Sequence, residues 1–398
     1  MISYFSPWPC YTKEESDAVG SVLLSNKVNY WTGGIINDFE REFAEFVGTK
    51  FGIALSNGTV ALDLAIKALG LGKDDEVIVT SRTFIASVSS IVNSGAVPVF
   101  ADVSKKSQNI YSDSILQVLS PNTKAIMCVH LAGWPCDMDP IMELARKHDL
   151  FVIEDCAQAH GAKYKGKSVG SIGHIGCWSF CQDKIMTTGG EGGMVTTNSR
   201  EFWSRMWSYK DHGKSWEAVY ERNHSHGFTW LHDSFGTNWR MTEMQAAIGL
   251  IQLKRMPDWH HKRNQNMKQI WAAANETNHL YAPTFSCDGC VGSCDAKTNC
   301  LHAAYKCYVF VNGSRDKRDS IMKAINAEGV PCYQGSCSEV YLEKAFDNTG
   351  LRPKKRLPAA KKLGDISLVF LCHPTLTREE IDKTCAIIKN VCSNITLS

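Results

Sequence analysis

One lysine, Lys184, lies in the run Ser179-Phe-Cys-Gln-Asp-Lys184-Ile-Met-Thr-Thr-Gly-Gly-Glu-Gly-Gly193. The apolar segment 175–180 is predicted as a strand, so the lysine falls just past a strand's carboxyl end. The glycine-dense turn after it lets backbone approach a ligand closely. An amine in such a place can condense with an aldehyde as a Schiff base. Taken alone, the same lysine reads as a solvated surface side chain.

Other strand-to-helix junctions carry complementary groups. Ser56-Asn-Gly-Thr59 opens the helical run 60–69, where Gly58 and Thr59 offer amides and a hydroxyl to a dianion. Phe151-Val-Ile-Glu-Asp155 is an apolar strand ending in two acids, with Asp155 at the end where open α/β sheets bind ligands. Gln158, three residues on, has an amide to donate to a ring oxygen. Phe84 follows the predicted strand 76–81 and is placed to stack on a ring. Lys184 lies 29 positions after Asp155 (184 − 155), a distance spanned by a loop and one strand. Each group has a plainer reading: a helix cap for Gly58, Thr59 and Asp155, core packing for Phe84. Jointly they meet the demands of pyridoxal 5'-phosphate, which needs a phosphate anchor, an acid for its pyridine nitrogen, an apolar cover and an amine.

These residues must be held by a regular framework. Between residues 52 and 198, apolar runs at 76–81, 98–103, 124–133, 150–156 and 175–180 read as strands covered on both faces. They alternate with helical patterns at 84–93 and 137–148, which implies a largely parallel sheet in an α/β architecture. Further on, 241–256 and 258–277 read as two helices separated by a break at Pro257. Beyond about 281 come a strand at 306–312, a helix at 316–328 and a last helix at 378–391, suggesting a smaller α+β domain. The expected division is a large domain, 1–256, and a small C-terminal one, 257–398. A chain of 398 residues exceeds one ordinary core, in keeping with two domains. With 44% hydrophobic and 21% charged residues and a net charge of +2, there is no electrostatic case for nucleic acid or an anionic membrane. No stretch approaches the ~20 apolar residues of a membrane span. The first residues lack the pattern of a secretory signal, so a cytoplasmic enzyme is expected.

The motifs Ser56-Asn-Gly-Thr59, Thr83-Phe-Ile-Ala-Ser87, Glu154-Asp-Cys-Ala-Gln-Ala-His160, Ser179-Phe-x-x-x-Lys184, Gly189-Gly-Glu-Gly-Gly193 and Asn238-Trp-Arg-Met-Thr-Glu-Met-Gln-Ala246 resemble those of the DegT/DnrJ/EryC1/StrS nucleotide-sugar aminotransferases. The resemblance runs from about Tyr4 to the C-terminus. It implies the aspartate aminotransferase fold (fold type I for pyridoxal phosphate) and a homodimer with shared active sites. It makes Lys184 the Schiff-base lysine and catalytic acid/base, Asp155 the partner of the pyridinium nitrogen and Gln158 a contact to the ring oxygen. Gly58, Thr59 and Ser179 would hold the phosphate, Asn238 would reach it from the neighbouring subunit, and Phe84 would cover the ring. Trp31, Thr32, His160, His212 and Arg240 are the substrate-contact candidates. Residues 24–33, 178–188, 209–213 and 335–341 look closest to enzymes of bacillosamine synthesis. That likeness implies transfer from L-glutamate, released as 2-oxoglutarate, to the C4 ketone of a UDP-linked 4-keto-6-deoxy-N-acetylhexosamine, for bacterial glycan synthesis. The alternatives are another 3- or 4-ketosugar, dTDP- or GDP-linked, and a non-catalytic protein that binds the cofactor.

Of the 16 cysteines, most sit singly in apolar runs, as small buried hydrophobes do. Cys287, Cys290, Cys294 and Cys300, with His302 close behind, form one cluster. Its intervals do not repeat as a second Cys-x-x-Cys pair, so free thiols in a loop are expected ahead of zinc or a redox pair, and no metal site is expected.

Overall fold

Strands that are apolar on both faces need cover on both sides, and this chain supplies it with helices. The protein, seen here in a computed structural model, is described over residues 5–223, 230–284 and 299–394. A seven-stranded sheet comprises β1 (Phe51–Leu55), β2 (Glu76–Thr80), β3 (Val97–Ala101), β4 (Thr123–Val129), β5 (Phe151–Asp155), β6 (Ile175–Ser179) and β7 (Gly193–Thr197). Their spatial order is β1-β7-β6-β5-β4-β2-β3. The pairs from β6 through β3 are parallel, whereas β7 runs antiparallel to both β1 and β6. Strands β1, β2, β4, β5 and β6 therefore end at the same edge. The expected α/β architecture is present, with β1 and the antiparallel β7 as the two strands the sequence patterns did not single out.

Helices α1 (Ile35–Val47), α2 (Gly58–Ala68), α3 (Ala86–Asn93), α4 (Met138–Lys147) and α5 (Arg200–Lys210) belong with this sheet. One core cluster joins Leu62, Ala65 and Ile66 of α2 to Val77, Val79, Met127 and Ile153 of the sheet. Another packs Phe39 and Phe43 of α1 against Trp178 and Phe180. Helix α2 is capped by Asn57, whose side chain accepts the Val60 amide at 3.0 Å. Helix α1 has only Gly34 at its cap and so has no local side chain to serve its first amides. Glu243 serves them instead, accepting from Gly34 (3.2 Å), Ile35 (2.7 Å) and Ile36 (3.3 Å).

Two expectations are corrected. The predicted strand 124–133 stops at Val129, and Leu131–Gly133 forms a 3-10 turn with Ala132 at φ 57°. The turn is held from outside: Asn109 Oδ1 accepts the Leu131 amide and Gln158 Oε1 accepts the Ala132 amide. Nor does Pro257 break a helix. Helix α6 (Glu243–Asn275) runs through it for 33 residues, about 50 Å. Proline inside a helix costs roughly 3 kcal/mol. Burial on both sides offsets this, with Leu253 and Met256 in the aromatic cluster and Met267, Ile270, Ala273 and Ala274 in the next.

That next cluster lies under a second, four-stranded sheet of β8 (Leu280–Tyr281), β9 (Cys307–Val311), β10 (Cys332–Tyr333) and β11 (Ser367–Phe370), in the order β8-β9-β11-β10. Helices α7 (Arg315–Ala327) and α8 (Arg378–Asn394) contribute Ile321, Ile325, Ile381 and Ile388 to it. Arg82 ties the two sheets together. Buried at 1% exposure, it donates to Gln108 Oε1, Ser338 Oγ and Ser367 Oγ and lies 5.2 Å from the Tyr308 ring centroid. Among the described residues, no helix is long and apolar enough to cross a membrane.

Candidate active site

Close approach at the carboxyl edge of the large sheet is made possible by missing side chains. Gly193 is paired in register with Leu55 on one side and Ser179 on the other. A Cβ at Gly193 would stand 2.2 Å from the Asn57 carbonyl oxygen. A Cβ at Gly58 would stand 2.5 Å from the Ser179 Cβ and 2.8 Å from its Oγ. Gly58, Thr59 and Ser179 are therefore gathered at the start of α2, where the first amides of a helix have no carbonyl to bond. This cradle can take a phosphate dianion.

Asp155 ends β5, the strand beside β6, and is buried. Its Oδ2 accepts from Ser87 Oγ (2.7 Å) and its Oδ1 from the Ala157 amide (3.1 Å). Thr83 and Ser87 share a further hydroxyl–hydroxyl bond of 2.8 Å. Burial raises the Asp155 carboxyl above its ordinary range; Ser87, the Ala157 amide and the Lys184 charge oppose that rise. A protonated ring nitrogen at this carboxylate would supply the counter-charge it lacks. Gln158 is oriented by the chain itself. Its Oε1 accepts the Ala132 amide at 2.8 Å, so its amide nitrogen is the end left to donate.

Glu154, next to Asp155, makes the strand end rigid. It accepts the amides of Gly170 (2.9 Å), Ile172 (2.9 Å) and Gly173 (2.6 Å). His130 Nδ1 accepts the Cys136 amide, so Nε2 carries the proton and donates to Glu154 at 3.0 Å. The His130 amide in turn donates to the Asp155 carbonyl at 3.2 Å. His130, Glu154 and Cys156 offer atoms within 4.8 Å of one another. The glutamate oxygens and both imidazole nitrogens are already engaged, so this trio is a satisfied brace.

Lys184 lies five residues beyond the end of β6, with 17% of its side chain exposed. Its carbonyl accepts from Trp8 Nε1 at 2.8 Å, and its amide donates to the Cys181 carbonyl at 3.0 Å. Its Nζ stands 3.9 Å from Asp183 Oδ1 and 5.2 Å from the Tyr305 ring centroid. His160 has no exposed surface and packs on Trp178 and Phe180, at ring-centroid distances of 5.3 and 5.6 Å. Burial, reinforced by Lys184, pushes its imidazole down to about 3. It belongs to the wall behind the lysine.

The other candidates divide. Phe84 is 67% exposed, and Asn238, Thr32 and His212 are also exposed. The segment carrying Asn238 joins the edge through a Trp239 carbonyl that accepts the Ser56 amide at 2.9 Å. Arg240 is paired with buried Asp211 at 2.5 Å. Trp31 is half-buried against Tyr30 and Trp207, with Lys214 Nζ 4.1 Å from its ring centroid. Cys287, Cys290 and Cys294 lie outside the described residues; Cys300 is a free thiol accepting the Lys165 amide at 3.2 Å. Asp183, Tyr305, Ser87 and Trp8 escaped sequence reasoning. Two of them carried a usable signal, Asp183 by its adjacency to Lys184 and Ser87 by its place in the Thr83–Ser87 motif.

Groups so arranged on a largely parallel sheet define an aminotransferase of pyridoxal-phosphate fold type I. The chain belongs to the DegT/DnrJ/EryC1/StrS aminotransferase family, which matches it over residues 9–389. It is 44% identical over 287 residues to a GDP-perosamine synthase of Escherichia coli O157:H7, covering 69% of this chain and 74% of that one. It is 34% identical over 371 residues to a UDP-N-acetyl-3-dehydro-alpha-D-glucosamine 3-aminotransferase of Acidithiobacillus ferrooxidans, covering 93% and 92%. The crystal structure of an aminotransferase from Psychrobacter cryohalolentis is 60% identical, with a TM-score of 0.94 over 98% of this chain and 99% of that one.

Proposed function

We propose that this aminotransferase moves the amino group of L-glutamate to the C4 ketone of a UDP-linked 4-keto-6-deoxy-N-acetylhexosamine. The observation that carries the chemistry is the common edge shared by the Gly58–Ser179 cradle, Asp155, Gln158 and Lys184. Bound pyridoxal phosphate supplies the electron sink that lets an amine and a carbonyl exchange places. Gly58, Thr59 and Ser179 would hold its phosphate, Asp155 would pair with its pyridine nitrogen, and the Gln158 amide would donate to its ring oxygen. Lys184 Nζ is the amine that would hold its aldehyde at rest. Once freed, Nζ takes the proton from the donor's Cα and later returns one to the sugar carbon. Phe84 and Asn238, exposed on this chain, are assigned to the ring's cover and to a neighbouring subunit's phosphate in a homodimer.

The cradle allows a direct check. Gly193→Ala is expected to weaken pyridoxal phosphate binding by about tenfold or more, since its Cβ pushes the Asn57–Gly58 backbone off Ser179. Cofactor titration by fluorescence measures this, with circular dichroism to verify folding.

The sugar is supported by the stretches 24–33, 178–188, 209–213 and 335–341. A second reading, a GDP-linked ketosugar, is favoured by the 44% identity to a GDP-perosamine synthase. Incubation with glutamate and a panel of UDP-, GDP- and dTDP-linked 3- and 4-ketosugars, with product analysis by NMR, decides between them. Amination of the UDP-linked 4-ketosugar at least about tenfold faster than the rest, in kcat/KM, is expected. Preference for a GDP-linked substrate overturns the UDP assignment.

A further inference from the structure

We propose that Asp183, held in place by Tyr305, is the positioning residue that receives the Lys184 ammonium whenever the lysine is free of the cofactor. The inference rests on the reading of Lys184 as the cofactor-bearing lysine and adds residues which that reading does not use.

The two oxygens of Asp183 are divided between two tasks. Oδ2 accepts the Tyr305 hydroxyl, and Oδ1 faces Lys184 Nζ at 3.9 Å. Tyr305 is itself buried and fixed, with Lys184 Nζ 5.2 Å and Lys306 Nζ 4.8 Å from its ring centroid. The phenol thus anchors a carboxylate that would otherwise turn to solvent, since 57% of the Asp183 side chain is exposed.

The surroundings of this pair are rich in charge. The charged and titratable groups around this pair come from several elements: Asp155 at the end of β5, His160 on the turn after it, Tyr305 and Lys306 before β9, and, facing His160, Tyr305 and Lys306, Arg263 on α6. Arg263 is buried and stacks 4.6 Å from the centroid of Trp8, the ring that bonds the Lys184 carbonyl. Lys306 and Arg263 thus bring further basic groups to the neighbourhood of the Asp183–Tyr305 pair. Among these basic groups the Asp183 carboxylate, 3.9 Å from Nζ, is the counter-ion placed nearest the ammonium in the chain sequence. Burial raises the Asp183 carboxyl, but Lys184, the Tyr305 hydroxyl and Lys306 outweigh burial and leave it below its ordinary value. It stays ionised across neutral pH, as the role requires.

The test follows the free amine directly. Full-length protein freed of cofactor is mixed with pyridoxal phosphate, and the rate at which the visible band of the lysine-bound form appears is measured against pH. The neutral amine is the reacting form, so the midpoint of that profile reports the proton affinity of Lys184. Asp183→Asn is expected to lower the midpoint by about one unit, a tenfold loss of proton affinity. Asp183→Glu restores most of it. Tyr305→Phe shifts it in the same direction by less, because the charge remains while its anchor is lost. An unchanged midpoint in Asp183→Asn, with the band still forming, overturns the assignment alone. A wild-type protein that forms no visible band overturns the reading of Lys184 and this inference with it. Should Asp183→Asn fail to fold, Tyr305→Phe decides, and an unchanged midpoint there counts against the proposal.

Discussion

Replacing Lys184 by alanine is expected to reduce turnover by at least about 10⁴-fold while pyridoxal phosphate remains bound noncovalently. The size follows from the double duty proposed for the residue, as covalent anchor and as the group that moves the proton. Retention of the cofactor follows because the Gly58–Ser179 cradle, Asp155 and Gln158 do not depend on the lysine side chain for their geometry. Single-turnover kinetics with glutamate measure the first part, and cofactor content after desalting measures the second. Turnover near the wild-type rate would remove Lys184 from the chemistry altogether.

The second large effect is expected at Asp155. Asp155→Asn preserves the shape and the Ser87 contact but removes the charge proposed to hold a ring nitrogen protonated. A loss of about 10² to 10³ in kcat is expected, a size typical of deleting one aimed electrostatic group. The same substitution separates function from stability. Because burial raises the folded-state value of Asp155, the native protein binds the proton more tightly than the unfolded chain does. Stability is therefore greatest below the ordinary aspartate value and declines as pH rises through the raised one, so at neutral pH the ionised carboxylate is a burden on the cofactor-free fold. Asp155→Asn is expected to leave the cofactor-free melting temperature unchanged or higher, even as catalysis falls. A lower melting temperature would make Asp155 mainly structural.

Much of the candidate site was legible because its parts are local. Gly58, Asp155, Gln158, Ser179 and Lys184 each belong to a strand end or the turn after it, and a strand end can be read from a few apolar residues and the polar group that follows. What escaped is what arises between distant segments. Tyr305 reaches Asp183 across 122 positions, and neither residue's neighbourhood announces the other. Ala132 takes a left-handed conformation because Gln158 captures its amide, whereas the local run of apolar residues argues for continued strand. Pro257 carries a reliable local preference that tertiary burial overrides along α6. The antiparallel β7 has the composition of any covered strand, and direction is not written in composition.

Glu243 gives the order of assembly a direction. It sits in the first turn of its own helix and also satisfies the opening amides of α1, 207 to 209 positions earlier. One carboxylate therefore serves the positive ends of two helix dipoles. On a ribosome the first of those helices emerges long before its cap has been synthesised. Its N-terminus must stay frayed, or be satisfied by water, while the whole seven-stranded sheet is being made. Helix α1 is in this sense completed only after the large sheet, and a chain truncated before residue 243 would carry the sequence of α1 without the group that closes it.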